Sequence, residues 1–278
     1  MKTLILFLWP MLFMAQTQFE KGTTAFNNQN YNRAISYFSD VLEEEPSDKM
    51  ARDYLGQSYA KLDNWEKSAE VSKTLVEDYP EDAEYNFRYG GALGLVAKNA
   101  NPFKAMSLLD DVKFHLKKAI QLDPKHIESR WALLQIYLEI PGILGGSENT
   151  SREYASQLKS ISPVDGALAN GFIERDLENF DKAESFYKEA IELGQSETTY
   201  RELAELYKRS NQTIKRFEAL EKAATKLNSL ELASDYAELA ITLNKNKGKA
   251  LVILEALNLD ESNSKDKRKL NQLKSKLK

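Results

Sequence analysis

The sequence predicts an all-α solenoid of about seven helix-turn-helix repeats, and three observations support this prediction. Glycine and proline are scarce, at 12 and 7 residues of 278, so the composition favours long stretches of helix. Glycines and prolines recur at a fixed interval of about 34 residues, the length of one two-helix unit. No segment sustains the period-two alternation of apolar and polar residues that is typical of strands.

Composition and charge exclude several classes of protein. With 42% hydrophobic residues, the chain can bury a core. The 38 basic and 42 acidic residues give a net charge of −4, so there is no global basic field and we expect no nucleic-acid partner. The chain has no cysteine, so it cannot form a disulfide and must be held by its core alone.

The N-terminus has the layout of a secretory signal peptide. It reads MKTLILFLWPMLFMAQ, with one positive charge at Lys2 and an apolar run that is shorter than the roughly 18 residues of a membrane span. We expect residues 1–15 to be removed; the alternative is an uncleaved anchor or a buried apolar N-terminus. A leader that runs into MAQ resembles those of exported proteins of Bacteroidetes-type bacteria. This implies the periplasm or cell envelope, or secretion.

The tail at residues 261–278 differs from the rest of the chain in charge. It holds seven basic and two acidic side chains, so the remainder of the chain is acidic. We expect a solvated capping helix, with Leu270, Leu273 and Leu277 packed on the last repeat. The alternative is a tail that docks electrostatically on a partner.

The repeats are clearest at the start of the chain. Gly22, Gly56 and Gly90 follow one another at equal intervals, and Pro80 follows Pro46 at that same interval. Each unit reads as a helix, a short polar turn, a second helix and a proline, which cannot continue a helix.

Later repeats carry insertions. The third repeat closes ten residues late, at Pro124, which predicts a longer first helix, an inserted loop or both around LVAKNANPFKAMS. The fourth closes five residues late, at Pro163, because the stretch IPGILGGSENTS occupies its turn after a helix that ends near Glu139. The fifth regains the pattern with Gly171, and two weaker units extend to about residue 260.

These positions resemble the signature of the tetratricopeptide repeat family. The first repeat supplies Gly22, Tyr31, Ala34, Phe38 and Pro46, the second Gly56, Tyr59, Trp65 and Pro80, and the fifth Gly171, Phe180, Ala183, Tyr187 and Ala190. The resemblance covers residues 16–260. It implies a right-handed superhelix in which the first helix of each repeat lines a concave groove.

The resemblance also implies a function and a set of groove residues. Carried over by frame, the groove positions are Phe19, Phe26, Gln57, Phe87, Gly91, Trp131, Gln135, Phe172 and Arg175. An apolar and aromatic lining suits a scaffold or adaptor that binds a peptide or protein segment. The alternative is a small-molecule or glycan-binding protein with a pocket near Gly91, Gly94 and Trp131.

The sequence offers little for catalysis. The glycines of IPGILGGSENTS follow a helix and lack the Lys-Ser or Lys-Thr of a phosphate-binding loop. We expect a tight turn, with Ile143 and Leu144 packed on a neighbouring repeat and Asn149 or Thr150 capping the next helix. Alternatively, the turn is a rim loop that contacts a partner. The two histidines have no metal-ligand spacing, so we expect no enzyme, no metal and no cofactor.

Overall fold

The computed structural model describes residues 18–257 and 264–278. Within these ranges the chain forms fifteen α-helices and one short 3-10 turn, and no strand. This confirms the predicted all-α class. The expected leader, residues 1–15, lies outside the described residues, as do residues 261–263 of the expected tail. Among the described helices, none combines the length and the hydropathy that a membrane span requires.

The chain divides into two compact units, and the division falls between Gly146 and Ser147. The first unit contains α1 (residues 18–27), α2 (Tyr31–Glu44), α3 (Lys49–Lys61), α4 (Trp65–Asp78), α5 (Ala83–Asn99), α6 (Pro102–Leu122), α7 (Ile127–Glu139) and the 3-10 turn Gly142–Leu144. The second contains α8 (Glu148–Ile161), α9 (Pro163–Asp176), α10 (Phe180–Leu193), α11 (Glu197–Arg209), α12 (Thr213–Lys226), α13 (Leu230–Thr242), α14 (Lys247–Ala256) and α15 (Ser264–Leu277). The division separates the two helices of the predicted fourth repeat.

Close approach of a glycine to an aromatic ring fixes the first and fifth helix pairs. A Cβ atom on Gly22 would lie 2.7 Å from the ring of Phe38, and one on Gly171 would lie 2.6 Å from the ring of Tyr187. Both rings are completely buried, so they cannot move aside. In each pair the ring stands at position i+16 relative to its glycine. Gly22 and Gly171 therefore mark helix crossings that leave no room for a side chain.

In the third helix pair the glycine crossing is retained, and both helices are longer on the side of the turn that joins them. Gly90 packs against Leu116, which stands at position i+26 instead of i+16. Helix α5 has 17 residues against 13 in α3, and α6 has 21 against 14 in α4. Asn101 caps α6 and Pro102 occupies its first turn, so the chain turns at once. Both helices are longer and no loop is inserted, which accounts for the late Pro124.

The glycines of IPGILGGSENTS serve the geometry of a tight turn. Gly145 has a φ of 86°, in the left-handed region that glycine adopts without strain. A Cβ atom on Gly146 would overlap the carbonyl oxygen of Ile140. The turn therefore requires glycine at both positions.

Two details of the expected turn are wrong. Ile143 is 94% exposed and does not pack on a neighbouring repeat, whereas Leu144 is half-buried. Helix α8 is capped by Ser147, whose hydroxyl accepts a hydrogen bond from the backbone N–H of Thr150. Neither Asn149 nor Thr150 is the cap, because α8 begins at Glu148, earlier than expected.

Glu184 ties three helices of the second unit together. Lys188 on the same helix, α10, and Lys215 on α12 donate to its carboxylate at 2.7 and 2.9 Å. Tyr207 on α11 donates a third hydrogen bond. Burial alone would raise the pKa of Glu184, but these hydrogen bonds outweigh it and lower the pKa to about 2.

The last helix closes the second unit. Leu270, Leu273 and Leu277 on α15 are buried, and α15 packs against α13 and α14. The three leucines share one face of the helix, because they are spaced by three and four residues. Helix α15 therefore covers the apolar surface of the last helix pair.

We predict that Glu184→Gln lowers the free energy of unfolding at neutral pH by on the order of 2 kcal/mol. The pKa of Glu184 is lower in the folded chain than its ordinary value of 4.5. Its stabilising effect is therefore present above about pH 4.5 and is lost as the pH falls towards about 2. Urea unfolding of both proteins at a series of pH values measures this, with the exposed Glu192→Gln as control. The same pH dependence in Glu184→Gln as in the parent would contradict the assignment.

Candidate functional site

The first unit contains a cavity of about 820 Å³ that is lined by residues of α3 to α7 and of the turn after α7. Five of the nine groove positions carried over from the sequence line it. They are Gln57, Phe87, Gly91, Trp131 and Gln135. The structure thus brings together residues from three first helices, α3, α5 and α7, at one site.

The lengthened ends of α5 and α6 build one wall of this cavity. Leu95 on α5 and Met106 and Leu109 on α6 line it, and Pro141 and Leu144 of the turn line it as well. The sequence did not predict these residues as part of the site, because the family frame gives only a few fixed positions on each first helix. The late closing prolines of the third and fourth repeats, Pro124 and Pro163, did indicate the two insertions that supply these residues.

The glycine cluster of α5 has two separate roles. A Cβ atom on Gly90 would lie 3.1 Å from His115 and 3.2 Å from the backbone of Leu116, so Gly90 permits close helix packing. A Cβ atom on Gly91 would meet nothing closer than the Phe87 ring at 3.9 Å, and one on Gly94 would meet Val112 at 3.5 Å. Gly91 and Gly94 therefore enlarge the cavity instead of making a packing contact.

A buried carboxylate orients the polar groups of the cavity wall. Asp53 on α3 lies 2.7 Å from Nη1 of Arg88 and accepts a hydrogen bond of 3.1 Å from Nε2 of Gln57. Burial raises the pKa of Asp53, and the nearby Arg88 opposes this shift. An ionised carboxylate only accepts hydrogen bonds, so the amide nitrogen of Gln57 must face Asp53. The carbonyl oxygen of Gln57 is left as an acceptor for a ligand.

The same network continues to the start of α7. Arg88 donates from Nε to Glu84 at 2.9 Å, and Nε2 of His126 lies 3.5 Å from the other oxygen of Glu84. Nδ1 of His126 accepts from the backbone N–H of Ser129 and caps α7, so Nε2 carries the hydrogen. The hydrogen bond from His126 is the main reason that the pKa of Glu84 is lowered. The network fixes the three helices that face the cavity.

Phe19 and Phe26 lie outside the cavity. Phe19 packs edge-on against Phe38 at 5.7 Å, and Phe26 packs against Tyr31 at 5.5 Å and Tyr54 at 5.3 Å. Both are half-buried at the edge of the core formed by α1, α2 and α3. At these two positions the structure shows packing between helices.

Phe172 and Arg175 belong to the second unit. The guanidinium group of Arg175 lies 4.9 Å from the centre of the Phe172 ring. Its Nη1 atom pairs with Glu202 on α11 at 2.7 Å. Arg175 therefore connects α9 to α11. The ring of Phe172 is half-buried and in contact with the guanidinium group of Arg175.

Family models described as tetratricopeptide repeats match three segments of the chain. These segments are residues 15–48, 50–82 and 171–195, which correspond to the first, second and fifth predicted repeats. The segments that match this family therefore lie where the sequence pattern is most regular.

Several solved structures of similar fold match most of the chain. A tetratricopeptide repeat protein from Parabacteroides merdae is 12% identical with a TM-score of 0.54, over 95% of this chain and 98% of that one. A thermophilic tetratricopeptide protein of Thermus thermophilus is 20% identical, with a TM-score of 0.50, over 82% and 99%. The C-terminal part of a repeat protein from Cytophaga hutchinsonii is 16% identical, with a TM-score of 0.50, over 91% and 99%. These structures show the fold.

We predict opposite effects of alanine at neighbouring glycines of α5. Gly91→Ala raises the free energy of unfolding by up to about 1 kcal/mol, because alanine favours helix and the new methyl group enters open space. Gly90→Ala lowers it by about 1 kcal/mol or more, because the methyl group presses on α6. Denaturant unfolding of the two variants measures the difference. Equal effects at the two positions would show that the cavity is not beside Gly91.

Proposed function

We propose that this protein is a non-catalytic adaptor that binds an apolar peptide or protein segment in the cavity of the first unit. The observation that carries this proposal is the convergence of Gln57, Phe87, Gly91, Trp131 and Gln135 on one cavity. Tetratricopeptide repeats commonly serve as scaffolds for protein interactions, which agrees with this use of the surface.

The chemistry of the lining supports an apolar ligand segment. Trp65, Phe87 and Trp131 supply aromatic surface, and Gly91 and Gly94 leave room beside it. Apolar side chains buried in such a pocket provide most of the binding energy of an interface. At the polar edge, the amide nitrogen of Gln57 is held by Asp53. We expect the carbonyl oxygen of Gln57 to accept a hydrogen bond from a backbone N–H of the partner.

A second candidate is a small-molecule or glycan-binding protein that uses the same cavity. The observation that favours it is the volume of about 820 Å³, which falls within the range of about 300–1,000 Å³ typical of small-molecule sites. The extended ends of α5 and α6 form a wall on one side of the cavity, which is the kind of enclosure that a small-molecule site needs. This candidate uses the residues of the first proposal and differs from it in the class of ligand.

We further propose that the protein is exported and acts in the periplasm or cell envelope, or after secretion. The basis is the arrangement of charge and apolar residues in the first fifteen residues. A bacterial, Bacteroidetes-type origin is part of the same proposal. Fractionation of cells that express the full chain, with sequencing of the mature N-terminus, tests it.

The binding proposal is tested by selecting ligands from a random library of displayed peptides about twelve residues long. Selected peptides are then titrated against the parent chain and two leucine variants. Gly91→Leu fills the cavity from an open helix position, and Gly248→Leu adds the same side chain to α14, where nothing lies within 4 Å. We expect Gly91→Leu to weaken binding at least tenfold and Gly248→Leu to leave it unchanged.

The outcomes separate the two candidates. Peptides whose binding is lost in Gly91→Leu establish the adaptor. If no selected peptide depends on Gly91, the adaptor proposal fails, and a thermal-shift screen with amphiphiles and oligosaccharides examines the second candidate. A thermal shift that is present in the parent and absent in Gly91→Leu would then identify the cavity as a small-molecule site.

A further inference from the structure

Ion pairs are distributed unevenly along the described part of the chain. The ion pairs among the described residues are formed by residues in the range 49–249. Within the described ranges, none of them involves residues 18–48 or the exposed cations of α15. The charges of the first helix pair and the cations of the last helix are therefore not neutralised by ion pairs among the residues that the structure describes.

The last helix presents a strongly basic surface. Residues 264–278 carry seven basic side chains and one acidic one, a net charge of +6. The cations Lys267, Arg268, Lys269, Lys276 and Lys278 are exposed. The leucines of α15 are already buried against α13 and α14, so the surface offers charge and no apolar face. A partner of this surface must be recognised by its negative charge.

The first helix pair presents the opposite charge. Residues 18–48 contain six carboxylates and two cations, a net charge of −4. Glu43, Glu44 and Glu45 follow one another at the end of α2, and all three are exposed. Negative charge at the C-terminal end of a helix is unfavourable to the helix dipole, so these residues do not stabilise α2.

We propose that α15 of one copy of this chain docks on the first helix pair of a second copy. The two surfaces have complementary charge, and neither the carboxylates of one nor the exposed cations of the other form an ion pair within the described ranges. Complementary charges of this kind set the rate and specificity of association. Because the two surfaces are different, the contact is head-to-tail: in a pair of copies, one copy retains a free acidic surface and the other a free basic surface. This proposal does not depend on the function of the cavity.

A second copy fits better than an anionic membrane. Apart from the +6 of residues 264–278, the chain carries a net charge of −10, which follows from its total of −4. An extended anionic surface would repel this acidic part wherever it comes within the Debye length of about 10 Å at 0.1 M salt. The buried leucines also leave no apolar face for insertion into lipid.

Sedimentation velocity of the purified chain tests the proposal. We expect concentration-dependent association at about 50 mM NaCl that is lost at about 500 mM, since salt screens exposed charges. The acidic surface is reversed by Glu43→Lys, Glu44→Lys and Glu45→Lys, and the basic surface by Lys267→Glu, Arg268→Glu and Lys269→Glu. Both reversals place charges that the helix dipole favours, so neither should unfold its helix.

Each reversed variant alone is expected to remain monomeric, and an equimolar mixture of the two is expected to associate at low salt. The control combines Lys61→Glu, Lys125→Glu and Lys159→Glu, which are exposed, lie outside both surfaces and make no ion pair with a described residue. It should associate as the parent does. A parent that is monomeric at all concentrations, or a mixture that fails to associate, would overturn the proposal. So would α15-dependent binding to phosphatidylglycerol vesicles without self-association.

Discussion

The fold depends on the close approach of a small residue in one helix to the residue that faces it in the next. Gly22 meets Phe38 and Gly171 meets Tyr187, each at position i+16, and Gly56 faces Ser72 at the same separation. Because this contact fixes where two helices cross, extra residues can be added only beyond the crossing. In the third pair the ten added residues lie there, and they become the wall of a cavity.

The cavity combines two kinds of constraint. Gly91 and Gly94 supply space, since each lacks a side chain at a position where one would fit. Asp53 and Arg88 supply rigidity, because their ion pair joins α3 to α5 and Glu84 extends it to α7. A rigid apolar recess whose polar edge is already oriented binds a ligand without a large ordering cost. The proposed binding function therefore depends on the shape of the cavity and on these preorganised contacts.

The sequence predicted those features that depend on local pattern. The glycine spacing located the helix pairs, and the end of α7 at Glu139 follows the expected boundary. Features that depend on contacts between residues far apart in the sequence could not be predicted from it. Ile143 reads as a core residue by type, yet the turn directs it to solvent. Phe19 and Phe87 occupy the same position in the repeat frame, but only the surrounding side chains decide that one packs against Phe38 and the other lines the cavity.

Hydrogen–deuterium exchange of the parent chain, with and without a peptide selected from the displayed library, tests the central claim most directly. We expect binding to slow exchange in α3 to α7 and in the adjoining turn, the segments that line the cavity. Exchange in the second unit should be unchanged. Protection that is confined to α9 and α11, or that is spread evenly over all helices, would contradict the assignment of the binding site to the first unit.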